Sequence, residues 1–524
     1  MKYIKILTAI ITISLSSCSG FLDVEPKDSL APEQYYNTEA ELQTALTGVY
    51  STFIKGGTFL NNLGRMGLDA DEVYNYRDQN DVADYATSPN DTKILNFWRD
   101  YYAGIERANK LLANIDKATS VPQNKRDIIK GETLFLRAYF YFQLVSNFGG
   151  VPLILKSIEN SDIEGLQVPR TDAKIVYQQI VTDMTTSSEL VQDITAIGNG
   201  GRVSKSAVYG MLARVCLYMA GNPLNDKTQY QEARKWAKKV MRVSVHTLNP
   251  SYQQVFVNYA TDKYDIGESI FELEFFGNGI GIYANLGGFV GSVNGIQNGD
   301  DTDKGQAFAY LQTTAYVNKA FETGDLRRDW AISPFTYSSG NPATPTNVAA
   351  GYHFNKFIGK FRRESEILKP KHASRTPQNY PIIRFSDVLL MFAEAENEIN
   401  DGPTQDAYDA INRVRRRGYG GNQFTPNTIC DLTGLDHGTF LGQIQLERTR
   451  ELAFENMRKA DLVRWGILTK KMKESLADSK VTPAYSSIVR AQAYFTNASD
   501  RDILWPIPSY EIGVNPKLIQ NPGY

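Results

Sequence analysis

The sequence predicts a mainly α-helical protein, with tetratricopeptide-like helix pairs and long irregular loops forming one large globular body. Three observations predict it. Apolar residues recur at three- and four-residue steps over most of the chain, which places them on one face of a helix. Small residues stand where consecutive helices would cross. Only two long stretches, 56–92 and 276–350, break the helical pattern.

The N-terminus comes first. Residues 1–18 read MKYIKILTAIITISLSSC. Lys2 and Lys5 flank the start of an apolar run, 6–15, whose length of about ten residues suits a signal-peptide core and is too short to span a bilayer. It ends in Leu15, Ser16, Ser17 and Cys18, a quartet that resembles the bacterial lipobox. Small residues there let the backbone enter a peptidase, and the thiol accepts the lipid. Residues 1–17 therefore read as a lipoprotein signal peptide, with Cys18 as the lipidated first residue of the mature chain. Two or more acyl chains anchor stably where one is marginal. No later segment reaches ~18 uninterrupted apolar residues, so the expected protein hangs on a membrane and does not cross it.

The helices follow. Over 94–115, Trp98, Tyr101, Ile105, Ala108, Leu112 and Ile115 share one face. Over 125–147, Gly131, Phe135, Ala138, Phe142 and Val145 repeat that spacing. Gly149 and Gly150 stop this helix, and Val151, Pro152 and Leu153 leave it extended. Further helices are expected at 172–193, 204–220, 229–244, 385–400, 404–417, 440–456 and 458–475. Ala207, Gly210 and Ala213 on one helix face Tyr230, Ala233, Ala237 and Val240 on the next. Ala393 and Ala395 similarly precede a turn at Gly402 and Pro403, then Ala407, Ile411 and Val414. Small residues let paired helices approach closely, the logic of tetratricopeptide hairpins. The repeat has no fixed period, which leaves an ordinary helical bundle as the alternative. The two irregular regions carry Asp, Asn, Gly and scattered aromatics. The run GNGIGIYANLGGFVGSVNG holds too many glycines for a helix. Long loops in a compact protein are usually functional or disordered, so these are read as ligand-facing.

Composition narrows the function. Lys and Arg number 56 against 58 Asp and Glu, a net charge of -2 without the basic excess of a nucleic-acid binder. Three cysteines, Cys18, Cys216 and Cys430, exclude a disulfide framework, and the last two read as buried free thiols. No cysteines or histidines have metal-ligand spacing, and no Gly-x-Ser-x-Gly or His-Glu-x-x-His motif is present. The expectation is a binding protein, not an enzyme, with no cofactor and no metal. A surface glycoside hydrolase is the enzymatic alternative, since its paired carboxylates are defined by distance in space and leave no sequence mark. Asp300, Asp301, Thr302 and Asp303 read as solvated acid, because they lack the full spaced-ligand pattern of a calcium loop.

Several stretches resemble the SusD/RagB family. Cys18, Phe21, Asp23 and Pro26 are similar to its mature N-terminus. GETLFLRAYFYFQLVSNFGGVPL (131–153) is similar to its long helix with a Gly-x-x-Pro exit. IRFSDVLLMFAEAENEI (383–399) followed by AINRVRRR (410–417) resembles a helix pair of its C-terminal half. Most specific are Glu447, Arg448, Arg450, Glu451, Phe454 and Glu455, then Asp461, Arg464, Trp465 and Gly466. Trp505, Pro506 and Pro508, with Asn521, Pro522, Gly523 and Tyr524, complete the set. The resemblance implies an N-terminal helical region at 18–225 and a C-terminal SusD/RagB region at 226–524, with ligand-facing loops at 276–350. It also implies a SusC-like TonB-dependent transporter as partner, a lid-like seat on that barrel, and a glycan ligand. Some members of the family resemble peptide binders, which keeps a peptide as the alternative ligand. The matching residues themselves read as scaffold. Arg448, Glu451 and Glu455 stand at three- and four-residue steps, where helix-surface ion pairs contribute about 0.2–0.5 kcal/mol. Trp465 and Trp505 read as core anchors.

The ligand site is expected on an aromatic platform built from the two irregular regions. Sugars present flat C–H faces that rings can match, with polar groups at the rim. The first region offers Arg65, Asp69, Asp71, Tyr74, Tyr76, Arg77, Asn80 and Tyr85, and the second offers Tyr283, Asn285, Phe289, Trp330 and Tyr337. The choice settles on Arg65, Asp71, Tyr74, Tyr76, Arg77, Asn80, Tyr283, Phe289, Trp330 and Tyr337.

Overall fold

The computed structural model describes residues 35–58, 70–157, 163–281, 287–299, 303–338, 343–347, 356–481 and 488–524. The chain enters through α1 (Glu39–Tyr50), whose first turn is closed by a capping box between Thr38 and Glu41. α2 (Thr92–Asn114) starts where the Asp91 carboxylate accepts from the Lys93 amide. It buries Phe97, Trp98, Tyr101, Ile105 and Ala108, the expected face. α3 (Gln123–Phe148) is buried almost all round from Gly131 to Phe142, so it is the central helix of this half. It ends at Gly149, whose φ of 71° suits a residue without Cβ.

α4 (Ala173–Leu190), α5 (Lys205–Ala220) and α6 (Gln229–Met241) continue the pairwise stacking. Small residues mark close approaches, but Gly210 does so against Ile383 and not against the following helix that the pairing predicts. A Cβ at Gly131 would lie 2.8 Å from Leu190, and one at Gly210 would lie 2.9 Å from Ile383. α7 (Tyr252–Ala260) follows, and α8 (Ala315–Ala320) lies inside the second irregular region, which is therefore not free of helix. The C-terminal half adds α9 (Phe385–Ile399), α10 (Gln405–Gly418) and α11 (His437–Leu452). α12 (Arg458–Arg464), α13 (Leu468–Val481) and α14 (Ile488–Asn497) close the body. One continuous core draws on Leu42 in α1, Phe135 in α3, Phe392 in α9 and Leu518 near the C-terminus. Cys216 and Cys430 are free and buried, and Trp505 is buried.

Three short antiparallel strand pairs sit among the helices. They are β1 (Val73–Asn75) with β3 (Leu311–Thr313), β2 (Ser269–Leu273) with β6 (Tyr380–Arg384), and β4 (Phe335–Tyr337) with β5 (Pro345–Asn347). The β2–β6 pair is buried throughout and packs on α5.

Two expectations are corrected. The span 458–475 is not one helix: it breaks between α12 and α13 at Gly466, where φ is 72°. α11 stops at Leu452, short of 456, because the chain turns through Phe454 (φ 69°) and Asn456 (φ 63°). Lys360, buried beneath this turn, donates to the Glu451 and Ala453 carbonyls.

The charged signature residues are also not helix-surface pairs. Arg327, Arg384, Arg415, Arg417, Arg450 and Lys360 interlock with Glu268, Glu322, Asp325, Glu447, Glu451 and Glu455. Only Glu322 among them is substantially exposed, at 40% of its side chain. Six cations meet six carboxylates, so the lattice is neutral as a whole. Burial works against ionising Glu447, but Arg327, Arg415 and Arg450 outweigh it and hold the carboxyl at about 2. Arg448 belongs to a second buried cluster with Asp387, Asp461, Arg464, Glu394 and Arg214. Trp465 is only half-buried and donates its indole N–H to Glu394 at 2.9 Å.

Candidate functional site

The two irregular regions meet through a backbone ladder. β1 and β3 pair with Tyr74 opposite Gln312 and Asn75 opposite Leu311. The pairing continues as the Tyr76 amide donates to the Tyr310 carbonyl at 3.1 Å. Beyond this ladder lies a small apolar cluster of Ile296, Ala309 and Phe357, against which Tyr76, Phe335 and Tyr337 pack half-buried. This is an aromatic floor. Tyr76 comes from the first region, and Phe335 and Tyr337 from β4 in the second. The β4–β5 pairing fixes the latter two, whose rings meet edge-on at 5.4 Å.

Polar groups line this floor. The Arg77 Nε donates to the Tyr76 hydroxyl at 3.1 Å, and its guanidinium stands 5.2 Å from the Tyr76 ring and 5.6 Å from that of Tyr310. The Tyr337 hydroxyl donates to Glu364 at 3.1 Å. Trp330 is half-buried beneath Arg362, whose guanidinium lies 4.1 Å from the indole and 5.5 Å from Phe335. Burial raises the Tyr76 hydroxyl above its ordinary pKa, although Arg77 opposes this, so the phenol stays a neutral donor. A flat apolar face with hydrogen-bonding groups at its edge is what a pyranose ring requires.

Three expected residues, Tyr76, Arg77 and Tyr337, thus gather around one floor, and Trp330, which packs on the main core, is linked to it through Arg362. Two others are corrected to scaffold. Asp71 is fully buried and forms a two-pronged ion pair with Arg458, at 2.7 and 2.9 Å. Tyr74 is fully buried and donates to Gln312 at 2.7 Å. Tyr74 lies in a core with Tyr85, Tyr494 and Phe495, and Tyr76, two residues on, packs against the edge of that core as well as on the floor. Asn80 is an exposed turn residue with φ 59°, its amide donating to Asp84. Phe289 is half-buried under Arg375, 4.4 Å away, and does not join the cluster. Cys18, Arg65, Asp69, Tyr283 and Asn285 lie outside the described residues, as do Asp300, Asp301 and Thr302. Asp303 is exposed, and the hydrogen bond and charge of Lys369 hold its carboxyl low.

Sequence reasoning missed Tyr310, Phe335, Arg362 and Glu364. A signal existed for two of them. The aromatics alternate in Phe308-Ala309-Tyr310 and in Phe335-Thr336-Tyr337, the period of a strand with one face turned outward. Arg362 and Glu364 come from a third segment with no distinguishing pattern.

Other sites are less suited. A groove of 680 Å³ between α2 and the C-terminal segment is lined by Trp98, Tyr102, Asn109, Leu166, Val514 and Leu518, among others. Its charges are already matched, Arg99 to Glu511 at 3.1 Å and Lys110 to Glu106 at 3.4 Å. Glu272, beside Glu274, is pushed up to about 7 by burial. Both its oxygens accept from the scaffold, from Ser269 and Asn379, which ties the carboxylate into the fold. Among the described residues no three His, Cys, Asp or Glu side chains are placed to hold a metal.

The comparisons bear on both halves of the chain. Residues 332–524 match the SusD family, and residues 20–217 match a family described as starch-binding and associating with the outer membrane. The chain is 26% identical to the SusD-like protein P2 of Formosa agariphila over 540 residues, covering 100% of both chains. Its backbone is similar to that of a SusD homolog from Bacteroides thetaiotaomicron, with a TM-score of 0.85, 25% identity and coverage of 94% of this chain and 98% of the other. It is also similar to surface glycan-binding protein A from Bacteroides fluxus, with a TM-score of 0.72, 21% identity and coverage of 93% and 100%. At that identity the likeness concerns the fold.

Proposed function

Because the chain belongs to the SusD family, we propose that it is a cell-surface glycan-binding lipoprotein that captures oligosaccharide for a SusC-like TonB-dependent transporter. The observation that carries the binding half of this reading is the aromatic floor, where Tyr76, Phe335 and Tyr337 are held on one apolar cluster with Arg77 and Glu364 at the edge. The starch-binding description of the family matching 20–217 supports a carbohydrate as ligand and the outer membrane as location. Among the described residues no helix is long and apolar enough to cross a membrane, which agrees with attachment through the lipobox cysteine, Cys18.

The floor works by matching shape and polarity. A sugar ring lies on the tyrosine and phenylalanine faces, which releases water from both apolar surfaces, and its hydroxyls meet the rim groups. The lid then closes over the barrel and transport removes the ligand inward. Binding alone is required of this chain, and no step calls for bond cleavage.

The test has two arms. Detergent-extracted outer membranes should yield the protein together with a large β-barrel at physiological salt, and recovery of the protein alone would count against the transporter role. Calorimetry against a panel of oligosaccharides should show saturable binding without turnover. Product release during the titration would establish the hydrolase alternative, and binding of peptides but not glycans would establish the other.

A further inference from the structure

Many arginines of the scaffold meet carboxylates: Arg327, Arg384, Arg417, Arg448 and Arg464 each pair with at least one buried acid. Others, among them Arg107, Arg170 and Arg413, donate instead to carbonyls or neutral side chains within the fold. Arg77 and Arg362, at the aromatic floor, have no carboxylate within ion-pairing distance among the described residues. Arg77 is exposed and uses only its Nε, on the Tyr76 hydroxyl. Its two terminal nitrogens have no hydrogen-bond acceptor among the described residues. Arg362 spends its Nε on the Gly359 carbonyl at 2.9 Å and one terminal nitrogen on the Asp329 and Trp330 carbonyls. Its Nη1 is unused.

The acids around the floor do not supply the missing partners. Asp329 pairs with Arg328 at 2.7 Å, and Asp78 lies 3.4 Å from Lys93. Glu364 accepts from Tyr337 and makes no ion pair with Arg362. Both arginines lie against aromatic rings, Arg77 on Tyr76 and Tyr310, Arg362 on Trp330 and Phe335. A stacked guanidinium has its plane fixed in advance, so less entropy is lost when its in-plane donors engage a ligand. Those donors match the two oxygens of a carboxylate or a sulfate.

We propose that the floor selects an anionic glycan, whose uronate carboxylates or sulfate esters are taken by Arg77 and Arg362 while its sugar faces lie on Tyr76, Phe335 and Tyr337. This rests on the glycan-binding reading above and deepens it to a ligand class. An uncharged sugar offers the two cations only hydroxyl oxygens, whereas an acid on the glycan accepts a stronger, charge-assisted hydrogen bond.

The test is calorimetry on the detergent-extracted full-length protein, with three probes: oligogalacturonates for carboxylate, sulfated galactan oligosaccharides for sulfate, and neutral galactan oligosaccharides of equal length. At 50 mM NaCl one of the charged series should bind at least about tenfold more tightly than the neutral one, the least that a charge-assisted hydrogen bond supplies. Raising NaCl to 500 mM should weaken that binding, since ions screen exposed charges. Arg77→Gln and Arg362→Gln should each weaken it about tenfold, clearly more than either weakens the neutral series, while the circular dichroism spectrum stays unchanged. The responding series identifies carboxylate or sulfate. Neutral oligosaccharide bound as tightly as either charged series, with no salt dependence, overturns the anionic assignment and leaves glycan binding standing. No binding of any of the three removes both.

Discussion

Replacing Glu451 by Gln removes one negative charge from the middle of the buried lattice. Glu451 faces three guanidinium groups, those of Arg327, Arg384 and Arg417, and its side chain is fully buried. Gln keeps the shape but carries no charge and turns an N–H₂ toward one of these arginines. The six-to-six balance becomes six cations against five carboxylates, with the excess charge out of reach of water. Breaking one partner of a buried pair typically costs ~3–5 kcal/mol, because the remaining charge is stranded. Unfolding entropy is ~2.1 cal/mol/K per residue, so a chain of 524 residues has about 1.1 kcal/mol/K at its midpoint. The expected fall in Tm is therefore ~3–5 °C. Differential scanning calorimetry at pH 7 measures it. The control is Glu474→Gln, on an exposed pair with Lys471, which should stay within ~0.5 kcal/mol of the parent. A Glu451→Gln midpoint within 1 °C of the parent, roughly the control's range, would refute the claim that the lattice depends on complete charge pairing.

Three further outcomes are expected. Changing Tyr76 and Tyr337 together to Ala should weaken glycan binding by more than ~2 kcal/mol, about 30-fold, as loss of a central aromatic anchor does; the helical circular dichroism should persist, and unaltered calorimetric affinity would move the site elsewhere. Glu272→Gln should change the pH dependence of stability: the raised carboxyl, about 7 against an ordinary 4.5, stabilises the fold fully below pH 4.5 and loses that contribution as pH rises through about 7. The variant should therefore match the parent at pH 4.5 and exceed it at pH 8 by up to ~3 kcal/mol, and melting curves that keep the same difference at both pH values would contradict the assignment. Cys18→Ala should release the protein from the membrane with its melting temperature unchanged, and fractionation that still finds the variant in the membrane would remove the lipid anchor.

The helices were legible because their apolar spacing and their stops are local. Gly149 ends α3 where the sequence places the end, and Gly131 and Gly210 mark close approaches because a missing side chain is visible in the sequence itself. What escaped was non-local. β2 and β6 lie more than a hundred residues apart, and both read as short apolar runs that could equally be buried helix turns. The charged signature was misread for the same reason. The three- and four-residue spacing of Arg448, Glu451 and Glu455 is real, but their partners, Arg384, Arg327 and Asp387, come from other segments and convert a surface pattern into a buried one. At the candidate site, the two irregular regions were legible as a composition change, and Tyr76, Arg77 and Tyr337, chosen from them, lie around one apolar cluster. Tyr74 was not separable from Tyr76, because residues two apart share a strand face, and what covers that face comes from segments far along the chain, Tyr494 and Phe495 over Tyr74 and Ile296, Ala309 and Phe357 beside Tyr76.

The β1–β3 ladder holds the floor through main-chain hydrogen bonds, which are indifferent to side-chain identity. Tyr76 and Arg77 follow directly after β1, and Tyr310 directly precedes β3. These positions can therefore be rewritten without disturbing the register that presents them. Two relatives with the same ladder could recognise different sugars, and exchanging a three- or four-residue cassette between them should transfer preference while leaving thermal stability almost untouched. A change of ligand preference then needs few codons, because the frame that carries these side chains is held by its backbone alone.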